Sequence, residues 1–289
     1  KDHFQYTKLD HASNYFYEDG TRFSAPADRL ELARELSKHF DIDEVTVKKA
    51  LDKSAELYDF LGEMFMFNSL HDWRTFVSKN AFRSYVNMGK MGFFETMNTA
   101  NQKAFEDPRL VQFFDRYATY NGSNPYETPA TMNLIPYLEY GIGAFLPNDG
   151  MHSITTSLVD LAKRVGVKFE LGTKVERIVV SPNKKVEAIE IAGQVRGFDR
   201  VVSNMDIVGT YKYLLPDQEA PKKIIQQPKS SSALIFYWGI RGEFAELDLH
   251  NIFFSSDYKK EFDHIFNRKT ISKDPTVYVN VTSKYKKSD

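Results

Sequence analysis

Hydrophobic and polar positions near the start of the chain follow the periods of a hairpin and then of two helices. Residues 15 to 23, "YFYEDGTRF", alternate weakly around an Asp-Gly turn dipeptide, and this pattern predicts a β-hairpin. Asp28 is a start signal for a helix that continues to about His39 with its apolar residues on one face. A second amphipathic helix is predicted to begin after Asp41 or Asp43.

The stretch from Tyr58 to Phe94, called the aromatic belt below, is dense in Phe, Tyr and Met. Its helical period breaks at "MFMFN" and "MGFF", so some of these side chains must point away from a single core face. An irregular helical core, the wall of an apolar tunnel and a membrane-surface patch all fit this pattern. Two more helices are predicted near 107 to 118 and 129 to 139.

After residue 140 the pattern changes to that of a small α/β layer. Residues 140 to 180 predict a short extended segment, a turn, an amphipathic helix and two strands, but no strand-helix-strand unit precedes them. We expect residues 141 to 206 to form a compact unit. The two strands are "VKFEL" and "TKVERIVV", and further strands are predicted at "KVEAIEI", "FDRVVSNMD", "SSSALIFYWGI", "NIFFS" and "PTVYVNVT". Strands between 231 and 281 should pair with the hairpin near 15 to 23, because hairpins formed along the sequence leave "ALIFYWGI" without enough partners.

Composition narrows the class of protein. The 289 residues are 42% hydrophobic, which is enough for a sizeable core, and 14% are aromatic. The 38 basic and 39 acidic residues are interspersed, so we expect no nucleic-acid partner. The absence of cysteine excludes disulfides and Cys-ligated metals and is compatible with a reducing cytoplasm. No apolar run approaches the ~20 residues of a membrane span, and no signal sequence is visible.

The search for catalytic and metal motifs is mostly negative. The seven His show no metal-ligand spacing, so no metal site is predicted. Gly141-Ile142-Gly143 lacks the third glycine of a dinucleotide fingerprint. The segment "SLHDWRTF" places Asp72 and Arg74 inside the aromatic belt, either as an ion pair between helices or as a buried acid/base group that faces a ligand.

Several long stretches together resemble the bacterial-type phytoene desaturase family of FAD-dependent carotenoid desaturases. They are "DPRLVQFFDRYATYNGSNPYETPATMNLIPYLEYGIGAFLPNDGMHSITTSLVDLAKRVGVKFELGTKVERIVV", "FDRVVSNMDIVGTYKYLL" and "DLHNIFFSSDYKKEFDHIF". The resemblance covers nearly the whole chain in order. It implies a middle portion of such a protein, because the family's N-terminal G-x-G-x-x-G unit and C-terminal Gly-rich segment are not in this sequence.

The resemblance assigns cofactor-binding positions. Val175 matches the family valine whose backbone lies against the FAD adenine, and Asn204 belongs to the segment that matches the family's "SNAD" loop. Pro147, Gly150 and Met151 match the family's "P-x-G-G-M" turn. These five residues are the predicted contacts to FAD.

The sequence departs from the family pattern at three positions, in the loop, in the turn and in a histidine pair near residue 250. Met205 replaces the small Ala of the loop, which puts close approach of the cofactor there in doubt, and Asp149 replaces the first glycine of the turn. Leu249 stands where the family has the first of two histidines, so only His250 remains and a role that needs both is lost.

The aromatic belt and Asp72 are predicted to contact the substrate. Asp72 matches a position where relatives often carry Asp, and it is the candidate catalytic base. Flavin accepts a hydride in a desaturation, while the protein must hold a long hydrocarbon and exclude water. The predicted residues of the apolar substrate channel are Phe60, Phe65, Phe67, Trp73 and Phe94.

These expectations combine into one hypothesis. The fold class is α+β or α/β: a mixed β-sheet with a helical substrate domain (1–140 and 207–289) and a small α/β segment of a Rossmann-like FAD-binding domain (141–206). The resemblance implies desaturation of phytoene or a related carotenoid by a cytoplasmic protein peripheral to the inner face of the membrane, with an unknown oligomeric state. Alternatives are a desaturase of hydroxylated carotenoids, a retinoid saturase-like enzyme, or a non-enzymatic carrier or docking module for apolar lipids.

Overall fold

The computed structural model describes residues 4–69, 71–227 and 229–286. They form two compact units, the described residues of Lys1–Ser157 with Ser230–Asp289 and those of Leu158–Lys229. The strands are β1 Tyr6–Lys8, β2 His11–Phe16, β3 Arg22–Pro26, β4 Phe145–Pro147, β5 Arg177–Val180, β6 Val186–Ile191, β7 Gln194–Gly197, β8 His250–Phe253 and β9 Val277–Asn280. The α-helices are α1 Arg29–Phe40, α2 Glu44–Gly62, α3 Lys79–Val86, α4 Met97–Ala104, α5 Pro108–Asp115, α6 Ile135–Tyr137, α7 His152–Arg164, α8 Ile207–Gly209, α9 Lys222–Ile225 and α10 Tyr258–Asp263.

A mixed four-stranded sheet, in the order β3-β2-β8-β9, organises the first unit. The hairpin predicted from the sequence is β2 and β3, with Gly20 at φ 86° in its turn. Strand β8 lies parallel to β2, with Asn14 opposite Asn251, and β9 pairs antiparallel to β8. The predicted pairing of late strands with the early hairpin is therefore confirmed, directly for β8 and through β8 for β9.

Helix α1 packs against β3, α5 contacts β2 through Phe113 and Tyr15, and α2 packs against α1. Asp28 caps α1 by accepting hydrogen bonds from the Leu30 and Glu31 backbone N–H groups, as the sequence predicted. The α1 apolar stripe contributes Leu32 and Leu36 to a core that also contains the aromatic residues Tyr15, Phe23, Phe40, Phe113 and Phe254. The predicted fold class, a mixed sheet with a helical layer, is confirmed.

The segments predicted as helices near 107 to 118 and 129 to 139 are helical but irregular. Helix α5 continues as the 3₁₀ helix Arg116–Asn121, and the second segment is the 3₁₀ helix Ala130–Leu134, then α6, then the π-helix Leu138–Ile142. Their irregular turns point Arg116 and Tyr140 into the core.

The second unit contains an antiparallel sheet of order β5-β6-β7. The predicted hairpin between "TKVERIVV" and "KVEAIEI" is confirmed as β5 and β6, with Arg177 opposite Glu190, and β7 adds a strand that the pattern did not predict. The Arg177 guanidinium pairs with Asp217.

Three predicted strands are wrong. Residues 167–171, 198–206 and 230–240 form no strand, and large apolar side chains in all three segments are exposed, including Leu171, Val202 and Tyr237. A strand exists only through hydrogen bonds to a neighbour, and these segments have no ladder with any described residue. The apolar and β-branched residues indicated strand propensity, but they could not indicate whether a neighbouring strand is present to form the hydrogen bonds.

The aromatic belt is neither one helix nor a buried core. After α2 it passes through the π-helix Glu63–Phe67, the 3₁₀ helix Trp73–Val77 and α3. Met64 and Met91 pack inside, while many neighbours face outward. The exposed large apolar residues of this stretch are Met66, Phe67, Trp73, Phe76, Val77, Phe82, Tyr85, Val86, Phe93 and Phe94.

Candidate functional site

The turn that carries Pro147, Gly150 and Met151 is fixed by β4 and by its own hydrogen bonds. Strand β4 pairs with β1, and Gly150 N donates to the Pro147 carbonyl at 2.9 Å. Gly150 has φ +79°, and an added Cβ would meet nothing nearer than Lys286 Nζ at 3.6 Å. Backbone conformation rather than crowding therefore requires glycine there. Met151 is exposed at the start of α7.

Val175 and Asn204 lie in extended segments of the second unit. Val175 is half-buried just before β5, and Asn204 is exposed. The loop around Asn204 is held by Asp206, whose carboxylate accepts from Val208 N at 2.9 Å to cap α8. The Ser203 hydroxyl lies 2.9 Å from that of Thr210. The loop is thus ordered by its neighbours, while the Asn204 amide is left on the surface.

The two groups of predicted flavin contacts belong to different compact units and are described separately. In the first unit the Met151 side chain is exposed and only the Lys286 side chain approaches Gly150, and in the second unit Asn204 is exposed. The sequence has no G-x-G-x-x-G turn for the phosphates. No phosphate contact is therefore assigned to this chain, and the roles of the five residues remain predictions.

Asp72 is an exposed helix cap. Its carboxylate accepts from Arg74 N at 3.0 Å, at the start of the 3₁₀ helix Trp73–Val77. The contact with Arg74 uses the backbone N–H and not the guanidinium. Its role as a catalytic base remains a prediction.

The predicted channel residues do not share one environment. Phe60 packs partly buried against the core, whereas Phe67, Trp73 and Phe94 are exposed, Phe94 by 91%. The Phe65 side chain lies outside the described part of the structure. Phe67, Trp73 and Phe94 therefore face outward, and their role as channel residues remains a prediction.

A buried polar cluster that the sequence pattern did not predict lies at one end of the main core. It consists of Tyr15 from β2, Arg116, Tyr117 and Tyr120 after α5, and Glu139 and Tyr140 from the π-helix, and is called the tyrosine–arginine cluster below. The only signal in the sequence is the frequency of Tyr in "RYATY" and "YLEYG". The cluster itself could not be predicted, because it forms only when the fold brings these distant segments together.

Contacts within the cluster are close. Arg116 Nη2 lies 3.3 Å from Glu139 Oε2, and the Arg116 guanidinium carbon lies 4.3 Å from the Tyr117 ring centre. The Tyr117 hydroxyl donates to Glu139 Oε2 at 2.8 Å and lies 2.7 Å from the Tyr140 hydroxyl. Glu139 Oε1 accepts from Tyr120, which is the exposed end of the cluster.

Burial sets the ionisation of these groups. It raises the pKa of the Tyr117 and Tyr140 hydroxyls well above their usual range. Burial alone would lower the pKa of Arg116, but the surrounding Tyr15 and Tyr117 and the Glu139 carboxylate outweigh it and raise the pKa. The tyrosines are therefore neutral and the guanidinium charged at neutral pH.

A second buried carboxyl lines a cavity of about 630 Å³ between α4, α5 and α10. Asp115 accepts from Asn98 Nδ2 at 2.6 Å and from Asn101 Nδ2 at 2.8 Å. Burial raises the pKa of Asp115 to about 6, although both amides act in the opposite direction. Across residues 4–69, 71–227 and 229–286, no group of three or more His, Asp or Glu is placed to hold a metal ion.

Comparison with known proteins identifies relatives for most of the chain. Residues 1–258 match the family described as flavin-containing amine oxidoreductase. A 1-hydroxycarotenoid 3,4-desaturase of Flavobacterium sp. (strain P99-3) is 46% identical over 286 residues, 99% of this chain and 58% of that protein. A phytoene desaturase of Neurospora crassa is 30% identical over 284 residues, 94% of this chain and 47% of that protein. The resemblance to carotenoid desaturases is thereby confirmed.

The chain spans about half the length of these relatives. A solved oxidoreductase from Methanosarcina mazei is similar at a TM-score of 0.41, with 16% identity over 57% of this chain and 39% of that one. None of the helices that the structure describes is both long enough and apolar enough to cross a bilayer.

Proposed function

The chain belongs to the flavin-containing amine oxidoreductase family, which implies FAD as its cofactor, and we propose that the protein desaturates a carotenoid. The observation that carries this proposal is the 46% identity, along 99% of the chain, to a protein named as a carotenoid desaturase. Bound FAD supplies the hydride acceptor for such a reaction.

The chain's own residues would bind and orient the reactants. Pro147, Gly150, Met151, Val175 and Asn204 would contact the flavin, as the sequence resemblance implies. The exposure of Met151 and Asn204 and the left-handed backbone of Gly150 support this role.

The exposed aromatic belt would bring the protein to its substrate. A carotenoid is a long hydrocarbon that partitions into membranes, so its enzyme needs an apolar face that can touch a bilayer. Phe67, Trp73 and Phe82, from three successive short helices, and Phe94, from the turn that follows them, are exposed apolar side chains for such a face. Peripheral contact of the belt with the membrane is therefore part of the proposal.

Among carotenoids, a hydroxylated substrate is favoured over phytoene. The relative named for 1-hydroxycarotenoids is 46% identical, whereas the phytoene desaturase of Neurospora crassa is 30% identical. Phytoene, the substrate expected from the sequence, is the second candidate.

Coexpression tests both substrates. The full-length gene is expressed in bacteria engineered to make either phytoene or a 1-hydroxycarotenoid, and pigments are separated by chromatography with absorption spectra. Desaturation lengthens the conjugated system and shifts absorption to longer wavelength. We expect new pigment in the hydroxycarotenoid strain. Unchanged pigments in both strains, with soluble flavin-loaded protein present, would refute carotenoid desaturation.

A further inference from the structure

The tyrosine–arginine cluster has more hydrogen-bond donors than acceptors among its own residues. A guanidinium carries five N–H donors, and among the described residues Arg116 donates to Glu139 Oε2 over a long 3.3 Å. Arg116 Nε is buried without a hydrogen-bond partner. A buried donor left unpaired is costly, so its presence calls for an explanation such as a further polar group that binds there.

The cluster reaches the surface at Tyr120, which is 55% exposed. Tyr278 of β9 is also exposed, and it shares a face of the main sheet with Tyr15 because both stand opposite Ile252 of β8. The Tyr278 hydroxyl lies 2.6 Å from His250 Nδ1. His250 is near enough for the charges of Glu139 and Arg116 to act on it, and burial lowers its pKa so that the ring is neutral at neutral pH.

Charge balance limits what can bind at this position. The Arg116 guanidinium and the Glu139 carboxylate cancel one another, so neither a carboxylate nor an ammonium group finds an unopposed partner. A neutral oxygen that can both donate and accept meets no such penalty. The rings of Tyr15, Tyr117 and Tyr120 stand around Arg116 at 5.3, 4.3 and 5.5 Å from its guanidinium carbon, which suits a hydroxyl attached to a hydrocarbon.

We propose that Tyr15, Arg116, Tyr120 and Tyr278 bind the terminal hydroxyl group of the substrate and so select a hydroxylated carotenoid over the corresponding hydrocarbon. This inference rests on the proposed function and adds the residues that determine substrate choice. A site built to hydrogen-bond a hydroxyl discriminates against the analogue that lacks it, because its own polar groups are then left unpaired.

The first test compares two substrates in the purified, flavin-loaded, full-length protein. Tyr120→Phe and Tyr278→Phe each remove one hydroxyl from an exposed side chain, where loss of folding is least expected. Tyr213→Phe removes an exposed hydroxyl in the other compact unit and serves as the control.

We expect Tyr120→Phe and Tyr278→Phe each to lower kcat/KM for a 1-hydroxycarotenoid by about fivefold to tenfold, which corresponds to the loss of one hydrogen bond. Turnover of the matching hydrocarbon should stay within about twofold of the parent, and the control should change neither. Equal losses on both substrates, or no loss on either, would overturn the inference.

The second test does not depend on turnover. Full-length protein carrying isotopically labelled arginine is titrated with 2,6-dimethylheptan-2-ol, a short tertiary alcohol, and with the matching alkane, 2,6-dimethylheptane. The Nε–H resonance of Arg116 is assigned by its absence from the Arg116→Lys spectrum.

We expect a saturable shift of the Arg116 resonance with the alcohol and none with the alkane. No shift with either probe would mean that only water occupies the cluster, and an equal shift with both would mean apolar binding; each result overturns the inference. If the full-length protein desaturates neither carotenoid, the proposed function fails, while this titration still decides the ligand class of the cluster.

Discussion

Replacement of Asp115 by Asn should change how stability depends on pH. The carboxyl has an ordinary pKa of 3.8 and, because of burial, a folded-state pKa of about 6. Since the folded state holds the proton more tightly than the unfolded state, protonated Asp115 favours folding below pH ~4, and this contribution is lost as pH rises through about 6.

The magnitude follows from these two values. The interval between 3.8 and about 6 corresponds to about 3 kcal/mol of unfolding free energy, at 1.36 kcal/mol per unit of pH. Asp115 is 1% exposed, so solvent screening does not reduce this figure much. The wild type should therefore lose about 3 kcal/mol relative to Asp115→Asn between pH ~2 and pH 8, most of it above pH 4.

Urea denaturation of both proteins at several pH values measures this difference. Other titrating groups are common to the two proteins and cancel. Asp274→Asn is the control, because hydrogen bonds from Ser256 lower the pKa of that exposed carboxyl, and its contribution should change with pH in the opposite direction. A wild-type-minus-variant difference for Asp115 that is flat, or that rises with pH, would refute the reasoning.

Four further outcomes are expected. Glu139→Gln should cost about 2–4 kcal/mol of unfolding free energy, because it leaves the buried Arg116 guanidinium unneutralised. Asp52→Asn should cost at most ~1 kcal/mol, because the side chains of the Arg29–Asp52 pair are 34% and 41% exposed. Chemical denaturation measures both costs, and equal costs would contradict the burial argument. Phe94→Asp in the full-length protein should reduce flotation with lipid vesicles at unchanged melting temperature, and Tyr213→Phe should float normally. Asp72→Asn keeps an oxygen that can cap the 3₁₀ helix, so slow turnover with normal melting would support a catalytic base and parental turnover would exclude one. The 289-residue chain expressed alone should purify without stoichiometric flavin, and a flavin spectrum retained through dialysis would contradict this.

Elements built from local signals were predictable. The Asp-Gly turn predicted the β2–β3 hairpin, and Asp28 predicted the start of α1, because turn and cap hydrogen bonds involve residues only a few positions apart. The β5–β6 hairpin followed for the same reason. The flavin family was also predictable, since the motifs that carry the resemblance are themselves stretches of sequence.

Strand partners could not be predicted in this way. "ALIFYWGI" and "NIFFS" have similar strand propensity, yet the second becomes β8 beside β2 and the first remains outside every described ladder. Propensity describes how one segment fits a pleated surface. The neighbour that supplies its hydrogen bonds is a property of the whole fold.

By itself, the sequence determined the hairpins, the capped helices and the family, because these depend on short-range hydrogen bonds and on motifs. Only the tertiary structure decided that Tyr15, Arg116 and Glu139 meet, since β2, the turn after α5 and the π-helix have no local relation in the chain. Tyr, Arg and Glu are usually solvated, and a sequence pattern does not show when they are buried. In this fold they lie within an aromatic core, where Arg116 Nε has no hydrogen-bond partner.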